Sequence, residues 1–259
     1  MNQLDVIVAS RLRDVRARKA RVPIEMLYDA ARNRPPVRDF EQALRSGAPA
    51  IVAEFKRSSP SAGALADRDP AATSRAYQAG GAAALSILTE PSWFGGCLED
   101  LVAARDATAL PVLRKDFIVD EYQVWESAEA GADAILLIAA ILTSDELAAL
   151  RVLAQSLRMC AVVEVRDEQE ARRALGAGAT VIGINNRDLR TMRVDLQTAL
   201  RMRRHLPAEC TVIGESGYTR AADLAACAAA GIDAVLIGES LMRAADPAAA
   251  VASLRAVPI

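Results

Sequence analysis

Histidine is nearly missing from this chain: His205 is the only one in 259 residues. A common metal ligand is therefore scarce, and the four cysteines, Cys97, Cys160, Cys210 and Cys227, lack the CxxC spacing that could replace it. No metal site is expected, and reduced, mostly buried thiols fit a cytoplasmic protein. A surplus of charge of either sign is missing too. Lys plus Arg number 31 against 33 Asp plus Glu, a net −2, so no global field draws the chain to nucleic acid or an anionic membrane. Small charged metabolites remain as partners. No apolar run approaches membrane-spanning length, and Asp5, Arg11, Arg13 and Asp14 charge the first turns. Neither a signal peptide nor a transmembrane helix is expected, and the location is expected to be cytoplasmic. The dinucleotide fingerprint GxGxxG is also absent, which counts against an open doubly wound sheet.

What is present is a hydrophobic fraction of 52%, enough to fill a sizeable core. Residues 3–19 carry Leu4, Ile7, Val8, Leu12 and Val15 at helical spacing opposite an Arg/Lys-rich face, which predicts an amphipathic helix that must lie on something. A second short helix is expected from Pro23 through Ala31, ended by Arg34-Pro35-Pro36, and a third over Phe40–Leu44. Eight apolar, β-rich runs follow, at 50–55, 82–88, 111–114, 134–138, 160–165, 180–184, 211–214 and 233–237, with alanine-rich helical stretches between them. A faint repeat runs through Ala79-Gly80-Gly81, Ala130-Gly131-Ala132, Ala177-Gly178-Ala179 and Ala230-Gly231-Ile232, each a helix C-cap glycine leading into a strand. Every second unit reuses one turn. The pattern predicts an α/β fold, a (β/α)8 TIM barrel forming one domain over 1–259, of which 1–48 is an N-terminal helical extension.

Catalysis in such a barrel takes place at the C-terminal mouth. Strand 1 ends with Glu54 and Lys56, which lie two apart, so the period of a strand turns both to the same interior wall. The third run ends in Arg114-Lys115-Asp116, the fifth in Glu164, and the sixth in Asn185-Asn186-Arg187-Asp188. The last two end in Glu215-Ser216-Gly217 and Gly238-Glu239-Ser240. Each has an ordinary explanation: Lys115 as a solvated loop cation, Glu164 as a partner of the next helix dipole, Asn185 as a turn residue. Chance surface charge would scatter over both ends of the strands, whereas here the N-terminal ends open with Ala, Pro or Thr, so a site is expected at the mouth. Backbone groups beside Gly217 and Gly238 suit a phosphate. Lys56 and Lys115, facing Glu54, Glu164 and Glu215, supply acids and bases without histidine or metal. A Schiff-base aldolase acting through Lys115 and a non-catalytic, phosphosugar-binding barrel both remain open on these grounds.

Several blocks narrow the choice. Glu54-Phe55-Lys56-Arg57 with Ser59-Pro60-Ser61, Phe94-Gly95-Gly96, Leu113-Arg114-Lys115-Asp116-Phe117, Val163-Glu164-Val165, Gly183-Ile184-Asn185-Asn186-Arg187-Asp188-Leu189, Glu215-Ser216-Gly217 and Leu236-Ile237-Gly238 resemble, in kind and order, the indole-3-glycerol phosphate synthase family of tryptophan biosynthesis. The resemblance covers essentially the whole chain. It implies a carboxy-lyase that closes the ring of 1-(2-carboxyphenylamino)-1-deoxyribulose 5-phosphate and releases carbon dioxide and water, with no cofactor and no metal. By the same resemblance Lys115 is the general acid at the ketone oxygen and Glu164 the base of the later dehydration. Lys56 holds the substrate's carboxylate or phosphate end, while Glu54, Asn185 and Glu215 orient the lysines and the substrate's hydroxyls. Pro60, Phe94, Phe117, Leu136 and Leu189 form an apolar wall against the aromatic ring. Ser59, Arg187 and Ser216 join the substrate-binding set, and backbone groups at Gly217, Gly238 and Glu239 grip the phosphate. The expected partner is the small phosphorylated substrate, with no nucleic acid and no membrane, and the protein is expected to be a monomer or weak homodimer. Three positions depart from the family's habit: Arg166, where strand parity suggests an interior position that would lower the pKa of Glu164, Cys97 and Tyr218.

Overall fold

The structure is a computed structural model that describes residues 3–47, 49–188 and 191–256. Its barrel strands are β1 (Ala50–Phe55), β2 (Ala84–Leu88), β3 (Val112–Lys115), β4 (Ala134–Ile138), β5 (Cys160–Val165), β6 (Val181–Asn185), β7 (Thr211–Glu215) and β8 (Ala234–Ile237), and a separate two-stranded antiparallel hairpin joins Ser58–Ser59 to Gly63–Ala64. Three helices precede them: α1 (Gln3–Lys19), α2 (Ile24–Arg32) and α3 (Phe40–Leu44). Between and after the strands come α4 (Pro70–Ala79), α5 (Pro91–Phe94), α6 (Leu98–Ala107), α7 (Glu121–Glu129), α8 (Ser144–Ser156), α9 (Glu168–Gly176), α10 (Gln197–Met202), α11 (Ala221–Ala229), α12 (Glu239–Arg243) and α13 (Pro247–Arg255). All eight barrel strands pair in parallel, and β1 bonds to both β2 and β8, so the sheet closes into the expected barrel. Compared with the sequence reading, β3, β6 and β7 each run one residue further, which makes Lys115, Asn185 and Glu215 members of the sheet rather than of loops.

Alternation sorts every strand into two faces. Val52, Ala84, Leu113, Leu136, Val162, Ile213 and Leu236 pack together inside the barrel. Ile51, Leu85, Ile87, Ile135, Val163, Ile182, Val212 and Val235 pack outward against the helices. The inward parity, followed to the strand ends, arrives at Glu54, Lys115, Glu164, Asn185 and Glu215. A site follows from the same period that fills the core.

Both ends of the barrel are covered by the segment before β1. Phe40 and Leu44 of α3 join the inner cluster from below, where Arg45 Nε donates to Thr211 Oγ1 at 2.8 Å and Thr211 donates to Glu41 at 2.9 Å. Leu4 and Ile7 of α1 join the same cluster from the mouth, beside Phe117. Ion pairs hold α1 against α7, with Arg18 Nη1 2.9 Å from Glu126 and Lys19 Nζ 2.8 Å from Asp120. Val15, Leu27 and Tyr122 close a small apolar cluster between them.

The repeated turn also has a physical cause. Gly81, Gly131, Gly178 and Gly231 follow α4, α7, α9 and α11, all with left-handed φ between 75° and 91°, and feed β2, β4, β6 and β8. A Cβ at Gly81 would lie 2.1 Å from Arg255 Nη1, and one at Gly131 2.8 Å from Arg105 Cδ. A neighbouring arginine thus lies across the turn, and only glycine leaves it space. Among the described residues, no helix is long and apolar enough to cross a membrane. No group of three or more His, Cys, Asp or Glu among them is placed to hold a metal ion.

Candidate active site

A cavity of about 470 Å³ opens at the C-terminal mouth. Every site residue expected from the sequence borders it except Leu189, which lies outside the described residues. Its charged floor is built by Lys115 at the end of β3 reaching across the barrel to residues of β5, β6 and β7. Lys115 Nζ sits 2.9 Å from Glu164 Oε2 and 2.7 Å from Glu215 Oε2, and Asn185 Nδ2 donates to the other oxygen of Glu164 at 3.1 Å. On the facing wall Lys56 Nζ is 2.5 Å from Glu54 Oε1, the same-face pair that a two-residue spacing requires. Two glycines make this crowding possible: a Cβ at Gly183 would lie 2.2 Å from Glu215 Oε1, and one at Gly238 2.1 Å from Glu54 Oε1.

Burial alone would lower the pKa of Lys115, but the carboxylates of Glu164, Glu215 and Glu54 outweigh it and raise it, so the ammonium stays charged. The two glutamates divide differently. Burial pushes Glu164 up, yet Lys115 and the Asn185 donor overcome it and hold the carboxyl below its ordinary value. Burial also raises Glu215, and with the Glu164 charge beside it the balance against Lys115 leaves it at about 7. Glu215 Oε1 is buried without a hydrogen-bond partner, whereas each oxygen of Glu164 has one. Of the two carboxyls, Glu164 is therefore the one held ionised and Glu215 the one raised toward neutral pH.

The other wall is apolar. Phe94 and Phe117 stand 6.1 Å apart between ring centroids, with Pro60, Leu136 and Ile138 around them. Phe94 is carried on α5, whose start is fixed by Glu90, fully buried and accepting from the amides of Ser92, Trp93 and Phe94. The sequence reading missed Leu4 and Ile7, although their helical spacing already marked a face seeking a partner. Ile138 was missed too, and strand period would have found it two residues after Leu136. No local signal points to Arg243, which also borders the cavity.

At the last two strand ends Ser216 takes a left-handed φ of 67° and Gly217 one of 93°. Asn186 braces this turn, donating to Ser216 O at 3.1 Å while its Oδ1 accepts from Ala199 N at 2.9 Å. The backbone of Gly217, Gly238 and Glu239 borders the cavity here, and the Glu239 carboxylate turns to Arg243 Nε at 3.3 Å.

The interior position suggested for Arg166 is not what the structure shows. β5 ends at Val165, and the guanidinium swings to Asp188 Oδ2 at 3.4 Å, in a separate groove against α9 and α10. The charges acting on Glu164 come from Lys115 and the Glu215 side instead. Tyr218 is buried behind β7 with its hydroxyl over Gly214, and Cys97 is an exposed residue that starts α6.

A closed parallel barrel whose strand ends gather lysines and carboxylates in one cleft defines an enzyme of the (β/α)8 class. Residues 4–254 match the family model described as indole-3-glycerol phosphate synthase. A protein of that name from Mycolicibacterium vanbaalenii is 48% identical over 97% of this chain and 93% of its own length. Another, from Rhodococcus jostii, is 49% identical over 98% of this chain and 95% of its own. Among solved structures, thiamine phosphate pyrophosphorylase from Pyrococcus furiosus superposes with a TM-score of 0.62 at 16% identity, over 85% of this chain and 97% of that one, and so shares the fold. The chain belongs to the indole-3-glycerol phosphate synthase family and is a carboxy-lyase acting on a small phosphorylated substrate.

Proposed function

We propose that the mouth of this barrel converts 1-(2-carboxyphenylamino)-1-deoxyribulose 5-phosphate to indole-3-glycerol phosphate, carbon dioxide and water, with Lys115 as general acid and Glu164 as general base. The observation that carries the assignment is Lys115 Nζ within 2.9 Å of Glu164 and 2.7 Å of Glu215 on the floor of a half-apolar cavity. Attack by a ring carbon on the ketone breaks aromaticity and puts negative charge on the ketone oxygen. An ammonium held there by two carboxylates donates its proton as the carbon–carbon bond forms. Loss of carbon dioxide then returns the electron pair to the ring. Dehydration needs a base for the departing proton and an acid for the departing hydroxyl. Ionised Glu164 serves as the first, and Lys56, across the cleft on Glu54, is placed to assist with the second.

The Phe94–Phe117 side receives the aromatic ring, with Pro60 and Leu136, and excludes water from the ammonium. The phosphate lies at the opposite side, against backbone groups of Gly217, Gly238 and Glu239, with Ser59, Arg187 and Ser216 completing the substrate contacts. We place the protein in the cytoplasm as a monomer or weak homodimer, with residues 1–48 as an extension of a single barrel domain. Incubation with the carboxyphenylamino substrate should give the rising fluorescence of an indole. No product at high enzyme concentration would reject the assignment.

A further inference from the structure

We propose that Arg11, on the N-terminal helix, is a positioning residue for the reaction: by holding Asp116 it fixes the strand end that presents Lys115 and Phe117 to the mouth. The inference rests on the assignment of Lys115 as general acid.

β3 pairs with β4 only through Leu113 and Arg114, so on that side the ladder stops before Lys115. On the other side the backbone has one further bond, from Thr89 N to Lys115 O at 3.1 Å. Beyond that point a buried ionic cluster replaces the ladder. Asp116 Oδ2 accepts from Arg11 Nη2 at 2.5 Å, Thr89 Oγ1 at 2.6 Å and Arg114 Nη2 at 2.9 Å, and its Oδ1 accepts from Phe117 N at 2.8 Å. Arg114 is itself tied to α7 through Gln123 O at 2.8 Å and Ser127 Oγ at 3.0 Å. The residues on both sides of Lys115 are thereby clamped from outside the barrel, which leaves its side chain one direction, inward.

Arg11 is the only member of this clamp that comes from outside the barrel's β3–α7 unit and the Thr89 turn beside it, and it is 2% exposed. It shares a helix face with Leu4 and Ile7, seven and four residues back, which border the cavity. Seating α1 over the mouth and setting Lys115 are therefore one event. Without Arg11, Asp116 and Glu126 would both draw on Arg114, whose Nη2 already lies 2.9 Å from the first and 3.4 Å from the second. A small displacement of a catalytic group from outside the chemistry is enough to slow turnover markedly.

The test measures steady-state kinetics per folded enzyme. Arg11→Met is expected to lower kcat about tenfold with KM changed less than about threefold, since Arg11 does not border the cavity. Arg11→Lys, which restores a cation to Asp116, should recover at least half of the lost kcat. A folded Arg11→Met with wild-type kcat overturns the proposal. Should Arg11→Met fail to fold, Thr89→Val decides instead, because it withdraws one donor from Asp116: a reduced kcat at unchanged KM upholds the clamp, and a wild-type kcat overturns it. Lys115→Ala, assayed beside them, separates the two levels. If it keeps its rate, the assignment of the site has failed; if it is inactive while Arg11→Met is fully active, only the role of Arg11 falls.

Discussion

Two carboxylates share one ammonium at the mouth, and the sharing is unequal. Asn185 gives Glu164 a second donor, whereas Glu215 packs one oxygen over Gly183 with no donor. In the proposed reaction the ammonium's interaction strengthens as charge develops on the substrate, so Lys115→Ala is expected to cost about a hundredfold or more in kcat while the barrel still folds. An unchanged rate would take Lys115 out of the mechanism. Glu215 gives a separate prediction about stability. Its carboxyl is raised from 4.5 to about 7, with burial as the first cause. At the acid end of that window folded and unfolded chains both hold the proton, and the contribution is fully present. As pH rises toward 7 the unfolded chain releases the proton first, and stability is lost. Urea unfolding of Glu215→Gln should lack this loss, so the wild type should weaken relative to the variant between about pH 4.5 and 7. Parallel pH dependence of the two proteins would show Glu215 ionised throughout.

At the scale of elements, α1 does two jobs with one face. Leu4 and Ile7 wall the cavity, and Arg11 reaches Asp116. These residues should fail differently. Trimming the wall loosens the fit of an apolar ring, so Ile7→Ala should raise KM about fivefold, corresponding to about 1 kcal/mol of lost contact, and leave kcat nearly alone. A fall in kcat with unchanged KM would mean that Ile7 acts on the chemistry and not on the slot. The strands were legible from sequence because each is buried on both faces and reads as an apolar run, and because period two then fixes which end residue points inward. Glu54 with Lys56 shows this, being paired as spacing alone requires. Arg166 shows where it stops: like Lys56 it lies one residue past its strand, but its guanidinium pairs with Asp188 outside the cleft, where Lys56 pairs with Glu54.

At the scale of the molecule, the N-terminal segment is fastened to the barrel by buried arginines. Arg105 Nη1 lies 2.6 Å from Asp133 Oδ2, and its Nη2 donates to Pro36 O at 2.8 Å, in the stretch between α2 and α3. Asp133 also accepts from Arg38 N at 2.7 Å and Val112 N at 2.8 Å. Arg105→Met would leave a fully buried carboxylate without its cation, a loss of about 3–5 kcal/mol. The midpoint of urea unfolding should fall accordingly while kcat at low temperature stays close to wild type, because this contact lies at the end of the barrel away from the mouth. A normal unfolding midpoint would show that the backbone donors alone satisfy Asp133.

The order and type of the elements, the closure implied by eight parallel units, and the inward parity of Glu54, Lys115, Glu164, Asn185 and Glu215 were determined by sequence alone, since local periodicity and burial on both strand faces write directly into residue order. Only the tertiary structure decided which carboxyl is raised toward neutral pH, where α1 comes to rest, and that Arg11 meets Asp116. Those outcomes depend on distances between residues about a hundred positions apart, which no local pattern encodes, and on desolvation, which exists only once the barrel has closed around the charges.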